Sequence, residues 1–370
     1  MCIRPRHGSR ALWLLAGVAF TAVFSACDGA DIVDPDLRGR IEPVAKPAVV
    51  QGVYVNAQAA GDAARVAELV ALAESSGLNT FVVDVKERGE VSYASNVALV
   101  DAVDAGRSYI EDLPGLLRTL KEAGIYPIAR IVCFRDAVLA EARPDLAIRT
   151  ADGGVWVDPE SNKPWVDPYN TEVQAYNIDL AREALAAGFA EVQWDYVRFP
   201  DVTEEVRAEM VFPAQNGTTA PDAIRDFITL SRQELAGFGA PVTADVFGRV
   251  ITTYDDSGIG QDWNQLVQVT DVLLPMVYPS LYWPGSLGVD DPDAEPYAIV
   301  RAAMDTAVAR MGRTSTTRAT LRPWLQAFTL NGITYGADEM QAQMQAVEDA
   351  GLQEWLFWNP DSEYPVEAFR

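Results

Sequence analysis

Short apolar runs alternate with longer amphipathic stretches along nearly the whole chain, and this alternation limits the fold more than any single motif. The runs are VQGVYV (50–55), TFVVDV (80–85), PIARIV (127–132), EVQWDY (191–196), PVTADV (241–246), VLLPMV (272–277), PWLQAF (323–328) and EWLFW (354–358). Helical segments fall between them at 62–76, 110–123, 171–187, 221–237, 262–268, 296–311 and 337–350. Gly77, Gly124 and Gly188 stand where a helix gives way to the next run, the place of a C-cap. Strands alternating with helices pair in parallel. Eight such units predict a single α/β domain, a (β/α)8 TIM barrel over residues 49–370. The competing doubly wound sheet expects a glycine-rich phosphate loop after its first strand, and VYVNAQAAGD supplies none.

Barrels of this kind place their chemistry at the C-terminal ends of the strands, and there the unusual polar residues collect. Asp84 and Lys86 close the second run, Arg130 lies in the third, and Gln193, Asp195, Tyr196 and Arg198 follow along the fourth. The fifth ends in Asp245, the sixth in Tyr278, and the eighth in Trp358 and Asn359. Successive strand residues face opposite sides, so Gln193 shares a face with Asp195, Thr243 with Asp245, and Val82 with Asp84 and Lys86. All these polar positions can point into one mouth. One buried ion pair could be scaffolding alone. Buried charge converging from several strands is costly and argues for a use.

Histidine narrows that use. The chain's single histidine, His7, lies in an N-terminal segment that reads as an export signal. Removing that segment leaves a body without imidazole, which excludes Ser-His-Asp triads and His-ligated zinc. No metal and no cofactor are expected. Cys2 and Cys27 fall in the same segment, leaving Cys133 alone and no disulfide within the body. Arg4, Arg6 and Arg10 precede an apolar run from Ala11 to Phe24, then Ser25, Ala26 and Cys27. Phe-Ser-Ala-Cys resembles a lipobox, so residues 1–27 are expected to be a lipoprotein-type signal with Cys27 lipidated. Residues 28–48, rich in Pro and Asp, would tether the body to the envelope. The expected protein is exported and held at the membrane by its lipid alone.

A formal charge of −24 argues against nucleic acid. It would also repel anionic polymers unless basic residues intervene locally. Carboxylate-pair cleavage of a glycoside needs neither histidine nor metal. Asp195 and Asp245, from neighbouring strands, are the expected catalytic pair. Arg130, Lys86 or Arg198 would keep Asp195 ionised, whereas desolvation among Val242, Val246 and Phe247 would raise Asp245 toward a general acid. Tyr54, Trp165, Tyr196, Tyr278 and Trp358 offer flat faces for pyranoses; Trp324 reads equally well as plain core. Long loops at 134–170, with a hairpin turn at ADGGVW, and at 199–220 would wall the rim.

The blocks GVYVNA, LNTFVVDVKERGEVSY, YPIARIVCFRD, WVDPYN, GFAEVQWDYVRFP, ADVFG, LLPMVYPS and FWNP occur in this order. Together they resemble the bacterial putative glycosyl hydrolase domain family, from about Val50 to Tyr364. The resemblance implies a glycosidase-like barrel related to the amylase-type superfamily, often exported or membrane-anchored. It implies site roles for Asp195 and Asp245, and for Asp84, Lys86, Arg130 and Tyr278. Relatives commonly carry histidine in YPSHY where this chain has Leu281, which bears on substrate preference. The alternative reading is an inactive barrel that only binds glycan at the envelope. The distance between the carboxylates would separate retention (about 5–5.5 Å) from inversion (about 6.5–9.5 Å).

Overall fold

A computed structural model describes residues 41–370. The expected signal, Cys27 and residues 28–40 of the tether lie outside the described residues. Residues 41–48 carry no helix or strand. They are nonetheless laid against the barrel: Ile41 packs over Gly188, and Lys46 pairs with Glu354 at 3.0 Å.

The eight expected strands form. They are β1 (Gln51–Val55), β2 (Thr80–Glu87), β3 (Tyr126–Val132), β4 (Glu191–Asp195), β5 (Val242–Phe247), β6 (Val272–Met276), β7 (Trp324–Gln326) and β8 (Trp355–Trp358). Each pairs in parallel with its sequence neighbours, and β1 pairs with both β2 and β8, closing the ring. The closure needs Gly52, because a Cβ there would stand 2.3 Å from the Thr80 carbonyl oxygen. This is the (β/α)8 barrel the alternation predicts.

The longer helices of the described residues cover the outside: α1 (Ala63–Ser76), α2 (Leu113–Glu122), α3 (Thr171–Ala187), α4 (Ala220–Glu234), α5 (Trp263–Val269), α6 (Pro296–Met311) and α7 (Ala337–Asp349). Side chains of Asp62, Asp112, Asn170, Thr219 and Asp262 accept from the free N–H groups of the first turns of α1 to α5. The barrel interior holds Val50, Val82, Tyr126, Ile128, Val272, Leu274 and Leu356. A larger apolar layer lies between sheet and helices. Because each strand is buried on both faces, it reads as an apolar run in sequence.

Polar groups interrupt this interior at both ends. At the start of β4 the Glu191 carboxylate pairs with Arg322 at 2.6 Å and accepts from the Tyr126 hydroxyl at 3.2 Å. That cluster is fully buried at the end opposite the mouth, where barrels keep residues for stability.

The two long loops join into one wall. Arg149–Thr150 of the first pairs antiparallel with Met210–Val211 of the second, and Asp167 accepts from the Ala214 N–H at 2.9 Å. The expected turn is present: the Gly153 N–H donates to Thr150 O at 2.9 Å, and Arg149 bridges to Val155. Tyr169, Phe199 and Phe212 pack edge-on behind it.

Candidate active site

Arg130 organises the mouth. Its side chain rises from β3 between β2 and β4, whose registers set Asp84 and Gln193 on either side of it. Nη1 reaches Asp84 at 2.5 Å and Glu87 at 2.7 Å, while Nε and Nη2 reach one oxygen of Asp195 at 3.0 and 2.6 Å. The other Asp195 oxygen accepts the Tyr196 N–H at 2.6 Å. That contact accompanies a left-handed backbone at Tyr196, φ 47°, a conformation that costs about 1–3 kcal/mol in a residue of this type. Asp195 therefore sits among three charge-stabilising N–H donors.

Asp245 sits differently. It is 2% exposed and has no cationic partner in ion-pair contact among the described residues. Gln193 Nε2 lies 3.0 Å from both its oxygens, and Trp324 Nε1 donates to Oδ1 at 2.8 Å. Burial pushes its carboxyl well above the usual carboxylate range, and the negative charge of Asp195 pushes it further; Arg130, Trp324 and Gln193 oppose the shift. Two neighbouring aspartates share one end of the barrel, one ringed by donors and the other desolvated by burial.

The remaining expected residues divide. Tyr54 donates its hydroxyl to Asp84 and stacks on Trp358 with ring centroids 3.8 Å apart, and the Arg130 guanidinium lies 4.7 Å from the Trp358 ring. Tyr54, Trp358 and Asp84, with Asn56, Glu87 and Tyr109, line a cleft of about 350 Å³ that ends against the Arg130 cluster. Tyr278 closes the opposite side, its hydroxyl under the influence of both Asp245 and Asp195. Arg198 lies between the ends of β4 and β5, facing the Tyr196 ring at 4.7 Å.

Three expectations need correction. Lys86 does not share the mouth with Asp84. The register of β2 on β3 slips between these two residues, and this bulge turns Lys86 outward. There its ammonium meets Asp136 at 2.7 Å and Asn177 of α3 at 3.0 Å, fully buried. Gln193 is also fully buried and holds Asp245, leaving it no surface for a sugar. Trp165 is packed beneath Tyr196 and Arg198 instead of standing on the rim.

Other contributors escape a reading of the sequence. Trp324 looks like core, yet it donates to Asp245. Gln261 donates to the Asp245 carbonyl and accepts the Phe247 N–H, both at 3.0 Å, pinning the end of β5. Glu87 reaches Arg130 because Arg88 and Gly89, both at positive φ, turn β2 back into a short hairpin with Glu90–Val91. The Arg-Gly pair was the available signal for that turn.

The closed barrel, with carboxylates, an arginine and stacked aromatics at its C-terminal mouth, is a glycoside hydrolase-like TIM barrel. The chain belongs to the family described as "Putative glycosyl hydrolase domain", whose sequence profile matches residues 52–364. A hypothetical protein from Ruminiclostridium thermocellum ATCC 27405 is 35% identical, with 52% of this chain and 97% of that one covered and a TM-score of 0.48. The PgaB (BpsB) glycoside hydrolase domain from Bordetella bronchiseptica aligns at TM-score 0.60 and 13% identity, covering 85% and 94% of the two chains. An α-galactosidase from Thermus thermophilus, TtGalA, aligns at TM-score 0.50 and 14% identity, covering 88% and 63%. These two share the barrel fold. No curated protein sequence matches.

Proposed function

We propose that this chain is an exported glycoside hydrolase that cleaves a polysaccharide or oligosaccharide with Asp195 and Asp245 as its two carboxylates. The observation that carries the reading is the contrast between them: donors surround Asp195, while burial and the Asp195 charge favour a proton on Asp245. A carboxyl that burial favours protonated beside one held by N–H donors supplies an acid and a base or nucleophile from the same residue type.

The hydrogen bonds suggest which atoms act. Asp245 Oδ1 accepts from both Trp324 and Gln193, whereas Oδ2 has Gln193 alone, leaving Oδ2 the place for the proton. That proton passes to the glycosidic oxygen as its bond to the anomeric carbon breaks. Both Arg130 donors take Asp195 Oδ2, so Oδ1 is the freer oxygen to meet the anomeric carbon or to take a proton from water. The Tyr54–Trp358 stack and its cleft offer a platform for a neighbouring sugar. The PgaB domain and the galactosidase named above are themselves described as glycoside-cleaving proteins.

Envelope and matrix polysaccharides, incubated with wild type, Asp195→Asn and Asp245→Asn, test the reading through release of reducing ends. Release by wild type and a loss of about 10³-fold or more in both variants is expected, since each removes one of the paired roles. A wild type silent on the whole panel, or an Asp195→Asn variant that keeps its rate, rejects it. Product anomers followed by NMR distinguish retention from inversion. Export and anchoring rest on residues 1–27, with Cys27 as the lipid acceptor. Labelled palmitate should enter the wild type in a bacterial host and be absent from Cys27→Ser.

A further inference from the structure

Among the described residues two arginines at the lip of this site, Arg198 and Arg135, make no ion-pair contact with a carboxylate, in a chain with 53 acidic and 29 basic residues. Arg198 is 7% exposed and donates Nη1 to the Phe199 carbonyl at 3.0 Å. Its guanidinium is walled by the rings of Phe247 at 4.5 Å, Tyr196 at 4.7 Å and Trp165 at 5.1 Å. Arg135 flanks Tyr196 as well, 5.1 Å from its ring, with Nη1 donating to the Tyr196 hydroxyl at 2.7 Å. The nearest acids are committed elsewhere: Asp195 to Arg130, and Asp201 to Arg249 at 2.7 Å.

Aromatic faces compensate a buried cation in part. They accept none of its remaining in-plane N–H bonds, and a guanidinium carries five donors. Among the described residues Nη1 is the one nitrogen of Arg198 that has a hydrogen-bond acceptor, which leaves Nε and Nη2 without one. Burial, opposed by Asp195 and Asp201 and aided by the like charge of Arg135, lowers the Arg198 pKa. Two mutually repelling guanidiniums are thus held together with no carboxylate in ion-pair contact with either among the described residues, Asp195 and Asp201 acting on Arg198 only from a distance. Their position ties them to the chemistry: Tyr196 follows Asp195 directly, and Phe247 lies two residues beyond Asp245. The strained backbone of Tyr196 holds the ring between them.

We propose that Arg198 and Arg135 form a subsite for an anionic group on the sugar at or beside the cleaved bond, the carboxylate of a uronic acid or a sulfate ester. The fork of a guanidinium matches the paired oxygens of either group. An acidic substituent would supply the missing charge and fill the open donors. The subsite also answers the repulsion that a charge of −24 imposes on acidic polymers, by setting cations where the polymer must enter. The proposal deepens the hydrolase reading by naming its substrate class, and it concerns binding, which can be measured without cleavage.

The full chain carrying Asp245→Asn, which keeps the Asp195 charge in place, is titrated calorimetrically. The probes are oligoglucuronate, oligogalacturonate and oligomannuronate, each beside its carboxyl-reduced form, and carrageenan oligosaccharides beside their desulfated form. At least one acidic series should bind about tenfold or more tightly than its neutral counterpart. Which series does so separates carboxylate from sulfate. Arg198→Gln should cut that preference below about threefold, and Arg135→Gln, at a more exposed site, should reduce it without endangering the fold. The proposal fails if no acidic series outbinds its neutral form, or if the preference survives both substitutions. A wild type that cleaves neutral glycans without preference sinks this subsite and leaves the hydrolase standing. Acidic glycans bound through Arg198 but never cleaved do the reverse.

Discussion

Gln193 spans the carboxylate of Asp245, its Nε2 standing 3.0 Å from each oxygen, while Trp324 holds one of those oxygens from across the barrel. These contacts fix the direction in which the carboxyl can present a proton, and both oppose its raised pKa. Trp324→Phe keeps an aromatic ring, though a smaller one, and removes one donor. The Asp245 pKa should rise further, moving the alkaline limb of kcat to higher pH, while kcat at the optimum falls on the order of tenfold from poorer alignment. A pH–rate series on any cleaved glycan reads both effects. An unmoved alkaline limb would show that Trp324 does not act on Asp245.

Arg130 compensates Asp84, Asp195 and Glu87 at once. Arg130→Ala leaves two buried carboxylates without their cation, and removing one partner of a buried pair costs about 3–5 kcal/mol. Arg130→Lys keeps the charge but cannot make the two-nitrogen contact to Asp195. It should retain much of the stability and still lose most of the activity. Urea unfolding and turnover, measured on both variants, check the contrast. Equal stability of Arg130→Ala and wild type would refute it.

The fold was legible because a barrel strand buried on both sides must be apolar nearly throughout, and eight such runs leave few arrangements. The candidate pair was legible for a related reason: polar residues at the ends of otherwise apolar runs, two apart, are conspicuous. Lys86 was misread because period-two reasoning assumes a regular strand, and one bulge reverses the side chain without a mark in VDVKE. Trp324 was missed because an indole that donates to a carboxylate has the same sequence appearance as one that merely fills space. The pairing of Arg149–Thr150 with Met210–Val211 joins loops some sixty residues apart, and no local pattern encodes it.

Stability should depend on pH through Asp84. Burial raises its carboxyl from 3.8 to about 6, against the opposing pull of Arg130 and with help from Glu87. The folded state then binds the proton more tightly than the unfolded chain does. The resulting stabilisation is complete below the unfolded pKa and is lost as pH rises through about 6. The unfolding free energy should therefore fall between pH 5 and pH 7 in the wild type, with a shallower fall in Asp84→Asn. Denaturant titrations at pH 5, 6 and 7 measure the two slopes. Indistinguishable slopes would mean that Asp84 is not the group titrating.

Lys86 offers the sharpest separation of scaffold from site. Its ammonium is sealed behind β2 with Asp136, Asn177 and the face of Tyr176, 4.9 Å from the ring centroid. Lys86→Met removes the cation and strands Asp136 in a place where a lone carboxylate costs about 3–5 kcal/mol. If that is its only role, enzyme folded at low temperature should keep the wild-type KM. The double variant Lys86→Met with Asp136→Leu removes both charges and should regain most of the stability, as apolar replacements of buried pairs often do. Melting temperatures and KM for the single and double variants decide the matter. A KM raised about tenfold in a folded Lys86→Met would return the lysine to the substrate side of the strand.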